Sequence, residues 1–379
     1  MKFACVEFRT KSGGIWDGAK EKPNYLCDPK IIDTCSFGCW TSALGGEHIP
    51  LLWFKLRKLP NRIYHNYLAP RMSRFHYLGY TILSVLINRA FQKFHNLDYL
   101  TKFDVVLVPL YDYSIPEIAK FIVEAKKLRK RPIFFGALGN TFNSFREALK
   151  SPENFTYFKT FIDNCDVFIN LGHEAISRYL KQYTDTPVVN FPIFYPFEFA
   201  KSFFEPYENK EKIIFVSGHA QRVDDVFSLL IAKKIQEEYP EFLIELVNRP
   251  FYNIEPLKNS RYKVVPFLKW QDYLKYSSKT YMIIDMDNSW TQGRVASDAA
   301  AVGTPCIGLN SGSQRRLFPD LECSDVVDAR KAIDLGTKLI ENRKFYEKVQ
   351  KKAFRRLKAC SYENSVKRLN RTLETYAKK

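Results

Sequence analysis

Short apolar runs alternate with longer stretches of helical spacing through almost the whole chain. Lys2–Phe8 reads as a strand and Asp104–Leu110 as a strand buried on both faces. Ile115–Arg129 follows with helical spacing. Pro132–Phe135 and Asp166–Asn170 then read as strands, Glu174–Gln182 as a helix and Val188–Phe191 as a strand. In Phe191–Lys212 the prolines Pro192, Pro196 and Pro206 interrupt any period, and the alternation then restarts. Strands are expected at Lys212–Val216, Phe242–Val247, Tyr262–Val265, Tyr281–Asp285 and Cys306–Gly308. Helices are expected at Val223–Tyr239, Gln271–Ser277, Arg294–Val302 and from Ala329 onward, the last over about Tyr362–Lys378. Such alternation predicts an α/β protein on parallel sheets. Its expected parts are a first domain at 1–195, a linker at 196–211, a second domain at 212–360, and a final helical segment at 361–379 that packs back on the first domain. The two domains are expected to face a cleft. Ligands of parallel sheets bind beyond the carboxyl ends of strands, so the loops there are where chemistry is sought.

Composition narrows the class. Of 379 residues, 46% are hydrophobic and 26% charged, which excludes a disordered chain or a coiled-coil rod. The longest apolar stretches, Val105–Leu110 and Ile82–Ile87, fall far short of the ~20 residues that cross a bilayer. Met1–Phe8 runs directly into polar residues without the pattern of a secretory leader, so a cytoplasmic location is expected. The eight cysteines include no CxxC pair. Cys5, Cys165 and Cys306 lie in or beside expected strands, where free cysteine acts as a small hydrophobe. Cys27, Cys35 and Cys39 cluster with His48 nearby, a weak zinc signal, and no bound metal is expected.

Lys and Arg number 58 against 41 Asp and Glu, a formal charge of +17. Much of the excess lies in His48–Asn96, which has eight cations (among them Lys55, Arg57, Lys58 and Arg62) and no carboxylate. Trp53, Phe54, Tyr64, Tyr67, Phe75, Tyr77, Tyr80, Phe91 and Phe94 are interleaved with them. Three readings stand. The segment meets an anionic membrane surface, peripherally at its inner face, or a lipid phosphate. It is a solvated face with its aromatics in the core. Or it binds nucleic acid, for which no recognised signature is present. The first reading is taken forward.

The most informative stretch is Tyr281–Gly308. A buried strand ends in Asp285 and Asp287, a polar turn carries Trp290 and Gln292, and Gly293 then opens a helix of small residues. Glycine lets a ligand approach the backbone. A helix start offers unpaired N–H groups and the positive end of its dipole, both suited to phosphate. Arg294 adds a fork of donors for a diphosphate. Asp298, one turn on, could accept hydrogen bonds from two ribose hydroxyls. The plainer reading is that Ala299–Ala301 permit close helix–sheet packing.

Asp298-Ala299-Ala300-Ala301-Val302-Gly303-Thr304-Pro305 resembles the second half of the E-x7-E…A-x-A-x-G-x-P signature of retaining GT-B glycosyltransferases. Asp stands in place of the second Glu, Gly293 matches the family glycine, and Trp290 stands where the first Glu would be. The resemblance implies two Rossmann-like domains of the GT-B type and sugar transfer from a nucleotide-sugar donor. The donor is a substrate rather than a cofactor, and no metal is needed. It implies a donor site of Gly13, Gly14, Gly218, Arg222, Pro266, Phe267, Leu268, Trp290, Gln292, Gly293, Arg294 and Asp298. The Asp285-Met286-Asp287 spacing would suit a metal, but its position before the Gly293 helix fits donor-sugar contact better.

Of six histidines, only His173 and His219 closely follow expected strands outside the basic segment. With Asp287 they are the catalytic candidates, since imidazole exchanges a proton near neutral pH or donates to phosphate. Each could equally be a capping or packing residue. The loop Gly136–Asn140 holds no histidine, which leaves acceptor-side chemistry unassigned. The acceptor is unknown, with a lipid-linked or membrane-proximal one suggested by the basic segment. A nucleotide-sugar 2-epimerase on the same fold and a non-catalytic basic binding module are the alternatives.

Overall fold

The computed structural model describes residues 1–7, 40–41, 43–51, 54, 94–139, 141–217, 225–247, 254–266, 268, 270–309, 311–324 and 328–376. They form two units. One comprises Met1–Asn170, Ser177–Phe191 and Arg368–Lys379, the other Leu171–Ile176 and Pro192–Lys367.

The first unit is built on a parallel six-stranded sheet. Its strands are β1 (Phe3–Glu7), β2 (Glu47–Pro50), β3 (Val105–Leu110), β4 (Ile133–Leu138), β5 (Val167–Asn170) and β6 (Val188–Asn190), ordered β2-β1-β3-β4-β5-β6. Every residue of β3 is buried, as expected of a strand covered on both faces. Helix α1 (Ile115–Ala125) has Pro116 in its first turn and buries Ile115, Ile118, Ala119, Phe121 and Ile122. Helices α2 (Phe142–Ala148) and α3 (Pro152–Asn164) begin at Thr141 and Ser151, whose hydroxyls accept from Ser144 N and Asn154 N. Phe54, one of the aromatics interleaved with the basic residues, is fully buried and packs on Phe121 with ring centroids 5.2 Å apart. It is core, not a membrane-facing ring, because the apolar face of α1 needs a partner. Phe94 packs on Phe121 as well. The rest of the basic segment lies almost wholly outside the described residues, as do Cys27, Cys35 and Cys39.

One expectation is corrected. Gly136–Leu138 is not loop, because β4 continues through it and pairs Gly136, Ala137 and Leu138 with Val108, Pro109 and Leu110. A β-carbon at Gly136 would sit 2.6 Å from Cys165 Sγ and 2.9 Å from the Phe168 ring. This glycine marks a tight contact inside the sheet rather than a turn.

The second unit carries a parallel five-stranded sheet of β7 (Glu211–Val216), β8 (Leu243–Val247), β9 (Tyr262–Val265), β10 (Thr280–Asp285) and β11 (Cys306–Gly308), ordered β11-β10-β7-β8-β9. The chain runs outward from β7 to β9 and returns to the other side of β7 as β10, so the order reverses between β7 and β10. Helices α4 (Glu174–Leu180), which spans the two units, α5 (Phe197–Ala200), α6 (Asp225–Glu238), α7 (Trp270–Ser277), α8 (Arg294–Val302), α9 (Gly312–Leu317), α10 (Ala329–Glu341), α11 (Arg343–Lys358) and α12 (Tyr362–Tyr376) complete the described elements. Ala296–Val302 of α8 are all buried, and Gly303, with φ 73°, ends the helix in the left-handed conformation that glycine adopts most easily. The chain before β7 is packed rather than free. Lys210 Nζ donates to Ser278 O (2.6 Å), Thr304 Oγ1 (2.8 Å) and Val302 O (3.3 Å). Burial pushes its ammonium down to about 7, against the favourable charge of Glu205.

Candidate functional site

The carboxyl ends of β7 and β10 lie at the point where the strand order reverses, the place where parallel sheets receive ligands. Ser217 follows β7 and its N–H donates to Ile284 O (3.0 Å), which holds the two strand ends together. Asp285 closes β10 and is 5% exposed. Burial pushes its carboxyl well above the usual range and the neighbouring Asp287 adds to this, while a hydrogen bond with Ser217 opposes it.

Asp287, also buried, accepts hydrogen bonds from Ser289 N (2.8 Å), from Ser289 Oγ and from Thr291 Oγ1 (2.9 Å). These bonds fold the turn back on its first residue, a local structure that Asp forms readily. The turn places Trp290 at φ 57°, a left-handed conformation that a bulky residue adopts at an expense of about 1–3 kcal/mol. The Trp290 ring meets the His173 ring edge to face, with centroids 4.9 Å apart. His173 Nδ1 accepts from Ala175 N (3.1 Å) at the start of α4, so its proton sits on Nε2 and that atom donates.

A second loop closes over the first. Gly312 N donates to Thr291 O (2.9 Å) and Ser313 N to Gln292 O (2.8 Å). A β-carbon on Gly312 would lie 2.7 Å from Gly172 O, and one on Gly293 only 2.1 Å from Ser311 Oγ. Gly293 has φ 76° and precedes the first turn of α8, so both the space and the conformation require glycine. Ser297 Oγ bonds Ser313 Oγ (3.0 Å), and Ser311 Oγ caps α9 by accepting from Gln314 N. Hydroxyls and backbone amides thus dominate the start of α8.

One turn into α8, Asp298 is 3% exposed and its Oδ1 accepts from three side chains: Tyr195 OH (2.7 Å), Trp270 Nε1 (3.1 Å) and Arg294 Nε (3.2 Å). The Arg294 guanidinium lies over the Trp270 ring (4.9 Å) and the Tyr195 ring (5.2 Å). This buried knot fixes Arg294 against α8, and its positive charge stays in the same turn as the helix start. Beside it, burial pushes the Tyr273 phenol well above its ordinary value, as do the carboxylates of Asp298 and Asp285, with the Cys306 thiol adding to them.

The structure thus brings together Asp287, Trp290, Gln292, Gly293, Arg294, Asp298 and His173 within the second unit. Pro266 is exposed and Leu268 half-buried beyond β9. Gly13, Gly14, Gly218, His219, Arg222 and Phe267 lie outside the described residues. Tyr195, Ser311 and Ser313 were not singled out in the sequence. The Ser311-Gly312-Ser313 run after β11 was a usable signal, whereas nothing local marks Tyr195, 103 positions from Asp298. Among the described residues no group of three or more His, Cys, Asp or Glu could hold a metal ion. No described helix is long and apolar enough to cross a membrane.

No protein-family model and no curated protein matches the sequence. Solved structures do resemble the fold. Sucrose-phosphate synthase from Thermosynechococcus elongatus superposes with a TM-score of 0.60 at 13% identity, covering 100% of each chain. The apo structure of OtsA gives 0.62 at 11%, over 98% of this chain and 99% of that one. The α,α-trehalose 6-phosphate synthase of Burkholderia multivorans gives 0.58 at 10%, over 99% and 97%. These likenesses show the fold, which is the α/β, GT-B type expected from the sequence.

Proposed function

We propose that this chain is a glycosyltransferase that moves a hexosyl group from a nucleotide-sugar donor to an acceptor without a metal ion. The reading is carried by one observation: Gly293 and the start of α8, with Arg294 fixed in the same turn, follow directly on the Asp287 turn at the carboxyl end of β10. In the reaction the bond from the sugar's anomeric carbon to the diphosphate oxygen breaks, and charge grows on the departing diphosphate. The first N–H groups of α8 and the Arg294 guanidinium stabilise that charge, which is the work a metal does elsewhere. Gly218 and Arg222, after β7, belong to the same diphosphate-binding set. Pro266, Phe267 and Leu268 bracket the nucleobase.

The Asp298 knot refines its own role. With Oδ1 taken by three donors, Oδ2 is the atom a ribose hydroxyl would meet, and the main duty of Asp298 is to hold Arg294. Trp290 and Gln292 lie in the turn that faces the sugar. His173, protonated on Nε2, donates to a sugar or phosphate oxygen and does not take a proton there, and His219 and Asp287 complete the catalytic set. The acceptor is lipid-linked or membrane-proximal, with the protein cytoplasmic and peripheral at an anionic inner membrane face through its basic segment.

The test is thermal stabilisation and slow hydrolysis across a panel of nucleotide sugars. A ligand at about 100 times its dissociation constant stabilises the fold by roughly 2.7 kcal/mol. A panel in which no nucleotide sugar or nucleoside diphosphate shifts the melting temperature would sink the reading.

A further inference from the structure

A cavity of about 580 Å³ opens on the second unit between α9, the turn after it and the end of α11. It is lined by Arg315, Arg316, Arg356, Glu322, Pro319 and Ala359, none of which is assigned to the donor. Arg356 Nη1 donates to Arg316 O (3.0 Å), which fixes that guanidinium plane at the wall. Arg316 and Arg356 are half-buried, and among the described residues neither has a carboxylate within ion-pair distance. Arg315 reaches Glu174 (3.5 Å) and Glu322 (3.6 Å), both longer than a good charge-assisted hydrogen bond. Burial pushes the Glu322 carboxyl above its ordinary value, although Arg315 and Lys331 favour its charge. The wall therefore holds three guanidinium forks and one lining carboxylate, Glu322, with Glu174 also in reach of Arg315.

Exposed arginines in a last helical turn often only complement the helix dipole. Here they come from two helices and converge on one cavity, and among the described residues Arg316 and Arg356 have no carboxylate within ion-pair distance. A planar fork of donors matches two oxygens of a phosphate at once, and several forks suit a dianion better than a carboxylate. Pro319 and Ala359 supply an apolar floor for the carbon skeleton that carries the phosphate.

We propose that this cavity is a binding site for a phosphate monoester, distinct from the nucleotide-sugar site and independent of that assignment. A soluble phosphate ester and a lipid phosphomonoester headgroup offer the same group, so the test uses both. The full-length chain is titrated with phenyl phosphate, with inorganic phosphate, and with phosphatidylcholine vesicles with and without phosphatidic acid. UDP and GDP report the donor site separately. The Arg316→Gln, Arg356→Gln double variant is expected to lose about tenfold or more in phenyl phosphate affinity, as removal of two forks requires, with nucleotide binding unchanged. Glu322→Gln is expected to strengthen binding. Binding confined to phosphatidic acid vesicles and lost in the double variant assigns the group to a lipid. Wild-type protein that binds none of the phosphate probes overturns the proposal, as does unchanged phenyl phosphate binding in both variants.

Discussion

Asp166 and Asp285 each sit where a buried parallel strand meets a loop, yet one is ringed by cations and the other stands beside a second carboxylate. Asp166 precedes β5, at the amino end of the first sheet. Burial alone would raise its carboxyl. Hydrogen bonds from Arg131 (2.8 Å), Phe134 N (2.8 Å) and Lys126 (3.0 Å) outweigh burial and hold it below the usual range. Among the described residues no cation offsets the burial of Asp285, at the carboxyl end of β10, and its carboxyl is pushed the other way. A carboxyl whose proton affinity is raised by burial, at the end of a parallel sheet where ligands bind, is the kind of group found at functional sites. The pairing at Asp166 ties the start of β5 to β4 and to Lys126 and Arg131.

Asp298 is the largest challenge to that division, because it lies near the site and yet is tied down as Asp166 is. Asp298→Ala would leave Arg294 and the Tyr195 and Trp270 donors buried without their acceptor. It should lower the unfolding free energy by about 3–5 kcal/mol in a denaturant titration, as breaking a buried ion pair does. A change under about 1 kcal/mol with lost nucleotide binding would return Asp298 to a purely ligand-binding role.

At the site itself, Asp287→Asn should slow sugar transfer by about 100-fold, an amount typical of one lost electrostatic contact in an active site. Asp285→Asn should shift stability by less than about 1 kcal/mol, since an amide is isosteric with the carboxyl, keeps a partner for Ser217 and carries no charge to bury. Asp166→Asn should do the reverse, lowering stability by about 1.5–3 kcal/mol with unchanged nucleotide affinity.

The two groups should also respond oppositely to pH. The stability that Asp166 contributes is present above its unfolded value of about 3.9 and lost as pH falls through its lower folded value. The stability that Asp285 contributes is fully present below its unfolded value of about 3.9 and lost as pH rises through its raised folded value. Asp285→Asn should thus gain on wild type toward alkaline pH, while Asp166→Asn converges with it in acid. The smallest effect is expected at Lys159 and Asp163, an exposed pair one helical turn apart at 2.8 Å. Lys159→Ala should change stability by no more than about 0.5 kcal/mol after screening by solvent.

The parts of this molecule that were legible in its sequence are those specified locally. The β10–α8–β11 unit announced itself through a buried run, Gly293, three alanines and Gly303. What decides β4 lies elsewhere in the chain. Gly136 resembles a turn residue until Cys165 and Phe168 are seen pressing on it. Helices α2 and α3 carried readable starts in Thr141 and Ser151-Pro152 that the apolar period alone did not reveal. The Asp298 knot was least legible. Its members Trp270 and Tyr195 lie 28 and 103 positions away, and no pattern in a single sequence joins them.

The division of the final helix bears on how the chain is made. Tyr362–Lys367 belong with the second unit and Arg368–Lys379 with the first, where Arg368 lies over the Phe191 ring (5.9 Å) and Leu369 is fully buried. The unit synthesised first thus receives this piece only after the second unit has been synthesised. Until then the apolar ground beneath Leu369 stays uncovered, and contacts of such long sequence separation form late and slowly. A ribosome-bound nascent chain stalled before Arg368 should therefore expose more apolar surface to chaperones than the same chain released after Tyr376.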